Sequence, residues 1–217
     1  MLTRQDRTVP DCLEILAQIA PLGLQHIGFK DIGADEATLR TLNAGIKALG
    51  AQTYLEVVAT SPEAALNSAR IAASIGVDHL LGGTHIPETL AILKGTGVKY
   101  YPFPGVPVGH PTQLGGDAAL VEAQSAAFVA QGCAGVDLLA YRATEADPID
   151  LVKAARRGLG PDKSLICAGA VDSPARIAAL AQAGADAFTI GSAAFDGSFA
   201  PNAGGLIAQL KEILACV

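Results

Sequence analysis

Short apolar runs alternate with amphipathic, alanine-rich segments along the whole chain. The runs are rich in β-branched and aromatic side chains, which is typical of buried strands, whereas the segments between them have helical spacing. A glycine ends most of the helical segments shortly before the next run begins. The predicted strands are residues 1–4, 25–30, 53–58, 79–83, 99–103, 136–140, 165–168 and 187–191.

The helical segments begin with clear capping signals. Ser61-Pro62, Asp147-Pro148 and Ser173-Pro174 each place an N-cap residue before a proline at the first helical position. Strands and helices therefore alternate without a linker or a change in composition. This pattern predicts α/β architecture with a single (β/α)₈ TIM barrel over residues 1–217, and a doubly wound open sheet is the alternative because periodicity does not show closure.

Composition narrows the choice of partners. The 217 residues are 50% hydrophobic and carry a net charge of −6, without a long basic run. This excludes nucleic acid and anionic membrane surfaces as expected partners, so any anion site must be local. The polar N-terminus is unlike a signal peptide, and no apolar run has the length of a membrane span, so a cytoplasmic location is expected.

Nothing in the sequence calls for a cofactor. The four cysteines lie far apart without CxxC spacing, which argues against a zinc site or a disulfide framework. Carboxylates at the predicted strand ends are too few for a metal cage. No cofactor and no metal are therefore expected, and the oligomeric state stays open, a homo-oligomer included.

Two glycine turns follow the last two predicted strands. In a TIM barrel such turns lie side by side at the C-terminal face, where their backbone N–H groups can converge on one anion. The sequence therefore predicts phosphate binding, although tight turns that serve only packing are the alternative. The predicted phosphate-binding residues are Gly169, Ala170, Gly191 and Ser192.

Lys30 and Glu56 are the predicted catalytic residues. Alternation places Ile27, Phe29 and Leu55 on the helix-facing side, so Lys30 and Glu56 point into the barrel on neighbouring strands. Burial can lower the pKa of a lysine and make its amine a nucleophile, with a carboxylate beside it as acid or base. A purely structural ion pair is the alternative.

Other polar residues fall at predicted strand ends, where substrate contacts in a barrel are made. Asp137 comes early in its strand and is interpreted as a structural residue near the barrel floor. The long Gly- and Pro-rich connection at residues 104–116 is a candidate lid. The predicted substrate-binding residues are Arg4, Thr84, His85, Tyr141 and Arg142.

The last turn resembles the ribulose-phosphate-binding barrel superfamily. Ile190-Gly191-Ser192-Ala193 is similar to its I-G-[ST]-A turn, whereas Ala168-Gly169-Ala170 departs from its Gly-Gly turn. The resemblance implies a phosphorylated small molecule as ligand. Within the group, the ketodeoxyphosphogluconate aldolases carry their Schiff-base lysine on the sixth strand, which has none here. A lysine that ends the second strand is similar to the archaeal formylfuran-methyl phosphate synthase.

These observations predict an enzyme that acts on a small phosphorylated sugar or ketoacid. The leading hypothesis is Schiff-base aldolase or lyase chemistry through Lys30, with Glu56 as acid or base. One alternative is a sugar-phosphate isomerase or epimerase that uses the same residues for direct proton transfer. The other is a non-catalytic barrel that binds a phosphorylated metabolite.

Overall fold

The computed structural model describes residues 1–59 and 61–217. The strands are β1 (Thr3–Arg4), β2 (Arg7–Thr8), β3 (His26–Lys30), β4 (Gln52–Val57), β5 (His79–Gly82), β6 (Lys99–Tyr101), β7 (Val106–Val108), β8 (Gln113–Gly115), β9 (Gly135–Leu138), β10 (Ser164–Cys167) and β11 (Ala187–Phe188). The α-helices are α1 (Cys12–Ile19), α2 (Glu36–Ala48), α3 (Pro62–Ile75), α4 (Ile86–Leu93), α5 (Ala118–Gln131), α6 (Pro148–Leu159), α7 (Pro174–Ala183), α8 (Ser192–Phe195) and α9 (Leu206–Leu214).

Local sequence explains where the helices begin and end. The capping signals act as expected, since Ser61, Asp147 and Ser173 accept hydrogen bonds from backbone N–H groups in the first turns of α3, α6 and α7. Gly76 and Gly184 adopt the left-handed conformation that ends α3 and α7. The helices therefore stop where the chain must turn back toward the next strand.

Two parallel sheets form the centre of the fold. One has the order β3-β4-β5-β6 and the other the order β11-β10-β9. Backbone hydrogen bonds join their edges, from Ala134 N to Tyr100 O at 2.9 Å and from Asp137 N to Pro102 O at 3.0 Å. Seven of the predicted strands thus occur close to their predicted positions.

The first two residues fill the remaining gap between the two sheets. The Met1 amine donates to Ile190 O at 2.8 Å, and Leu2 N donates to Gly28 O at 2.7 Å. Together with the bonds between β6 and β9, these contacts complete a ring of parallel segments surrounded by helices. The (β/α)₈ barrel predicted from the alternation is the observed fold.

The prediction that residues 1–4 form the regular first strand of the barrel is wrong for residues 3 and 4. β1 leaves the ring and pairs antiparallel with β2, Thr3 opposite Thr8 and Arg4 opposite Arg7. Gln5 and Asp6 form the turn with φ of 50° and 57°, the positive values that a two-residue hairpin turn with matching strand twist requires. The chain therefore folds back over the barrel mouth and brings Asp6 with it.

Aromatic side chains fill the N-terminal end of the barrel. The rings of Tyr54 and His79 stack at 4.2 Å between centroids, and Tyr101 lies 5.6 Å from His79. Leu81, Tyr101 and Ile166 form a separate buried apolar cluster. Because this end is packed and apolar, open polar space is left at the C-terminal ends of the strands.

The long connection at residues 104–116 folds into a hairpin of β7 and β8. Leu114 is fully buried, and Thr144 N donates to its carbonyl at 3.0 Å, whereas Val106 and Val108 are exposed. The base of this hairpin is therefore fastened to the barrel. Its role as a lid stays a prediction.

Among the described residues, no helix is both long enough and apolar enough to cross a membrane.

Candidate active site

Lys30 is the centre of a buried charge cluster at the barrel mouth. Its Nζ lies 2.9 Å from Glu56 Oε1 and 2.9 Å from Asp6 Oδ1. β3 and β4 pair in a register that places Lys30 directly beside Glu56, which explains the first contact. Lys30 is only 4% exposed and Glu56 only 3%, so the cluster is almost fully removed from solvent.

Arg142 clamps Asp6 from the other side. Its Nη1 and Nη2 donate to Asp6 Oδ2 and Oδ1 at 2.5 and 2.7 Å, a bidentate arrangement that fixes the plane of the carboxylate. Thr112 N also donates to Asp6 Oδ2 at 3.3 Å, and Thr112 O accepts from Arg142 at 3.1 Å. Asp6 therefore ties the N-terminal hairpin, the segment after β9 and the β7–β8 hairpin together.

The protonation states follow from these contacts. Burial alone would lower the pKa of Lys30, but the carboxylates of Glu56 and Asp6 outweigh burial and raise it above the ordinary lysine value. Burial alone would raise the pKa of Asp6, but Arg142 and Lys30 hold it far below its usual range. The expectation that burial lowers the pKa of Lys30 is therefore wrong, because the two carboxylates reverse the effect of burial and favour the ammonium form.

This cluster lines a cavity of about 610 Å³ at the C-terminal ends of the strands. Its lining also carries hydroxyl groups of Thr3, Thr144, Thr189 and Ser198. The volume is within the range of small-molecule sites. The predicted site residues that line it are Lys30, Glu56, Tyr141, Arg142, Gly169, Ala170, Gly191 and Ser192.

The first glycine turn is shaped by close packing against Arg142. Gly169 has φ of 76°, and a Cβ there would collide with the Arg142 side chain. Ala170 follows with φ of 54°, a conformation that is costly for a residue with a Cβ. Arg176 holds it, since Nη1 donates to Ala170 O at 2.5 Å and to Asp172 Oδ2 at 2.8 Å.

The second glycine turn packs on the N-terminal segment. A Cβ on Gly191 would lie 2.8 Å from the carbonyl oxygen of Thr3, so only glycine fits without a shift. Ser192 Oγ accepts from Gln5 N at 3.0 Å. The backbone N–H groups of Gly169, Ala170, Gly191 and Ser192 donate to no protein acceptor within the described part of the chain.

Three predicted substrate-binding residues do not line the cavity. Arg4 is exposed and pairs with Asp196 at 2.6 Å, because β1 turns outward. Thr84 is exposed, and His85 is the N-cap residue of α4. The structure thus does not bring Arg4, Thr84 or His85 to the site.

Arg142 and Tyr141 do reach it, but both also have protein partners. Arg142 is bound to Asp6, and the Arg176 guanidinium lies 4.6 Å from the centre of the Tyr141 ring. Tyr141 Oη donates to Arg176 O at 3.3 Å. Their contribution to substrate binding stays a prediction.

Sequence reasoning missed Asp6 as a member of the site. The available signal was its position directly after a short first strand, between two arginines. It also interpreted Asp137 as a structural residue near the barrel floor. Asp137 is 0% exposed and does not line the cavity, and Glu56, Lys30 and Arg142 are the charged groups that act on its carboxyl.

Comparison with known proteins shows the fold. No family model and no curated protein matches the sequence. A native KDPGal structure is 14% identical with a TM-score of 0.65, covering 98% of this chain and 93% of that chain. Orotidine 5′-phosphate decarboxylase from Pyrococcus horikoshii OT3 is 15% identical with a TM-score of 0.61, covering 98% and 96%.

A FabK mutant from Thermotoga maritima is similar over a part of its length. It is 17% identical with a TM-score of 0.57, and the match covers 85% of this chain and 57% of that chain. This chain therefore spans little more than half of FabK. At identities of 14–17%, these structures show that the chain shares the TIM-barrel fold, and they identify no specific family.

Proposed function

We propose that the protein is an enzyme that acts on a small phosphorylated sugar or ketoacid bound in the mouth cavity. The observation that carries this proposal is the buried Lys30–Glu56 pair, with a separation of 2.9 Å, on the lining of a cavity of about 610 Å³. A charged pair buried without a ligand is costly unless its groups are well paired, and clusters of this kind are concentrated at functional sites.

The phosphate group is assigned to the two glycine turns. Four backbone N–H groups at Gly169, Ala170, Gly191 and Ser192 lack acceptors in the described residues and border the same cavity. Unpaired N–H groups that converge on a cavity can bind phosphate oxygens without a dedicated basic side chain. A site built from backbone N–H groups does not require a positively charged protein, so it is compatible with the net charge of −6.

The leading chemistry is carbon–carbon bond cleavage through an imine on Lys30. The proton of the ammonium first moves to Glu56 Oε1, the acceptor at 2.9 Å, and frees the amine lone pair. The amine then attacks the substrate carbonyl carbon, and the nitrogen proton passes to the carbonyl oxygen to give a carbinolamine. Glu56 returns its proton to that hydroxyl, which leaves as water, and an iminium ion with an ionised Glu56 remains.

The iminium ion then accepts the electron pair of the carbon–carbon bond that breaks, while Glu56 takes the proton of the hydroxyl group that becomes the departing aldehyde. An enamine remains on Lys30, and Glu56 returns the proton to its carbon. Hydrolysis of the resulting iminium ion by water releases the second product and restores Lys30. Asp6 stays ionised throughout because Arg142 holds it, so at least one anion lies opposite the positive nitrogen whenever that charge is present.

A second candidate function is isomerisation or epimerisation by direct proton transfer. The raised pKa of Lys30, caused by Glu56 and Asp6 against the effect of burial, favours it. In this mechanism the ammonium group remains protonated and stabilises the developing enolate oxygen, while Glu56 moves the carbon-bound proton. Both mechanisms require Glu56 as the base, and they differ in the covalent bond to Lys30.

We expect the protein to exchange the carbon-bound protons of dihydroxyacetone phosphate with D₂O, and Glu56→Gln to slow this exchange by about 10²–10⁴-fold. Exchange is followed by proton NMR, and Glu88→Gln on the surface of α4 is the matched control, with the wild-type rate. A set of phosphorylated sugars and ketoacids is tested in the same way. If none of them exchanges protons faster than in buffer, the protein binds such a compound without catalysis.

The phosphate assignment is tested by adding a charge next to the second turn. We expect Ala193→Glu, on the cavity lining, to weaken binding of inorganic phosphate by about tenfold or more through repulsion at partly buried distance. Ala193→Gln has nearly the same size without the charge and should bind phosphate almost as the wild type does. Calorimetric titration measures the phosphate affinity of both variants. An equal loss of affinity in the two would show that the size of the new side chain, and not its charge, weakens binding.

A further inference from the structure

Asp137 is a fully buried acid that the mechanism above does not use. It lies on β9, is 0% exposed, and both carboxyl oxygens lack a hydrogen-bond partner among residues 1–59 and 61–217. An ionised carboxylate without donors or solvent is strongly unfavourable in a protein interior. A neutral acid in the same place costs far less.

The charges around Asp137 give a second, independent argument. Without Asp137, the cluster has two cations, Lys30 and Arg142, and two anions, Asp6 and Glu56, joined by contacts of 2.5–2.9 Å. Burial lowers the pKa of the Met1 amine on the cavity lining to about 6, so at pH 7 this group is mainly neutral. The interior is therefore neutral when Asp137 holds a proton and has one excess negative charge when Asp137 is ionised.

The charged and titratable groups around Asp137 also favour its protonated form. Burial raises the pKa of Asp137 well above its ordinary value, and the charge of Glu56 raises it further against the opposing effects of Lys30 and Arg142. The other titratable groups on the adjacent strands are Cys167 on β10 and Tyr100 and Tyr101 on β6, whose pKa values are raised by burial, and Lys99, which is exposed at the start of β6.

We propose that Asp137 is a positioning residue that stays protonated at neutral pH and thereby allows Lys30 to pass its proton to Glu56. Its part in turnover rests on the proposed function, whereas its protonation does not. An ionised Asp137 would hold the proton on Lys30 by attraction, so the amine would not be freed. The neutral acid removes this attraction and leaves Glu56 as the proton acceptor.

Protonation is read directly from the infrared spectrum. We expect the C=O stretch of a protonated carboxyl group in the wild-type protein at pH 7 and its loss in Asp137→Asn. The exposed Asp162→Asn is the matched control and should leave the band unchanged. A band that persists unaltered in a folded Asp137→Asn would overturn the proposal.

Stability against pH gives a test that does not depend on the infrared band. A carboxyl group with a raised pKa in the folded state keeps its proton while the unfolded chain, with its pKa near 4, releases it. Relative to Asp137→Asn, the wild-type folding equilibrium constant should therefore fall by about tenfold per pH unit as pH rises from about 4 toward the folded pKa. The comparison cancels the opposite contributions of His79 and the Met1 amine, whose pKa values burial lowers to about 4 and about 6. Equal slopes for the two proteins would contradict the proposal.

Should Asp137→Asn fail to fold, Glu56→Gln provides the same information. Removal of the Glu56 charge lowers the pKa of Asp137, so the infrared band of the protonated carboxyl group should disappear at a lower pH than in the wild type. A band that disappears at the same pH in both proteins would count against a protonated Asp137. The infrared and stability measurements can both support a protonated Asp137 even when no carbonyl compound exchanges protons with D₂O. In that case the proposed function is wrong and the protonation of Asp137 still holds.

The activity readout is the pH profile of proton exchange with dihydroxyacetone phosphate. The wild-type rate should fall at alkaline pH as Asp137 ionises, and this alkaline limb should be absent from the profile of Asp137→Asn. A residue with only a structural role would lower the rate equally at all pH values, and that result would refute the positioning role.

Discussion

Replacing Lys30 with methionine is expected to lower the free energy of unfolding by about 3–5 kcal/mol at pH 7. The substitution keeps most of the side-chain volume but removes the cation that lies 2.9 Å from both Glu56 and Asp6. Asp6 retains Arg142, whereas Glu56 loses its cationic partner while only 3% exposed. Urea denaturation followed by circular dichroism measures the loss.

Two further variants separate charge pairing from packing. Lys30→Met combined with Glu56→Gln removes the unpaired carboxylate and should recover most of the lost stability. Lys47→Met breaks an exposed pair with Asp78 at 3.1 Å and should cost only about 0–1 kcal/mol. Equal small losses for Lys30→Met and Lys47→Met would show that the mouth cluster is not a buried charge network.

The inner face of the barrel could be predicted because strand alternation is a local property. In β3 and β4 the side chains that face the helices are apolar, so Lys30 and Glu56 had to point inward. Their pairing then followed from adjacent parallel strands. The direction of the pKa shift of Lys30 could not be predicted, because it depends on Asp6, which belongs to a different part of the chain.

The N-terminal hairpin shows why Asp6 was missed. Its turn has positive φ at Gln5 and Asp6, and the sequence there lacks the glycine or asparagine that signals such a turn. The turn is held instead by tertiary contacts of Asp6 with Lys30, Arg142 and Thr112. The contacts with Arg142 and Thr112 join residues that are 136 and 106 positions apart, and such contacts leave no periodic pattern in a sequence.

The surroundings of Asp137 could not be predicted from its position in the sequence alone. A position early in a strand predicts the barrel floor only when neighbouring strands are in level register. Here Asp137 N bonds to Pro102 O while Ala134 N bonds to Tyr100 O, so the strands are locally offset. Thr84 and His85 were predicted to bind substrate only because they follow a strand. The end of a strand does not determine the direction in which the following loop turns.

Trapping of a covalent adduct tests the central claim most directly. Sodium borohydride reduces an imine irreversibly, so incubation with dihydroxyacetone phosphate or pyruvate should add the mass of the reduced compound to the peptide that contains Lys30. Lys30→Met should give no adduct, and the peptide with the exposed Lys47 should stay unlabelled in the wild type. If Glu56-dependent proton exchange occurs and neither carbonyl compound is trapped on Lys30, the imine mechanism is wrong and direct proton transfer takes its place.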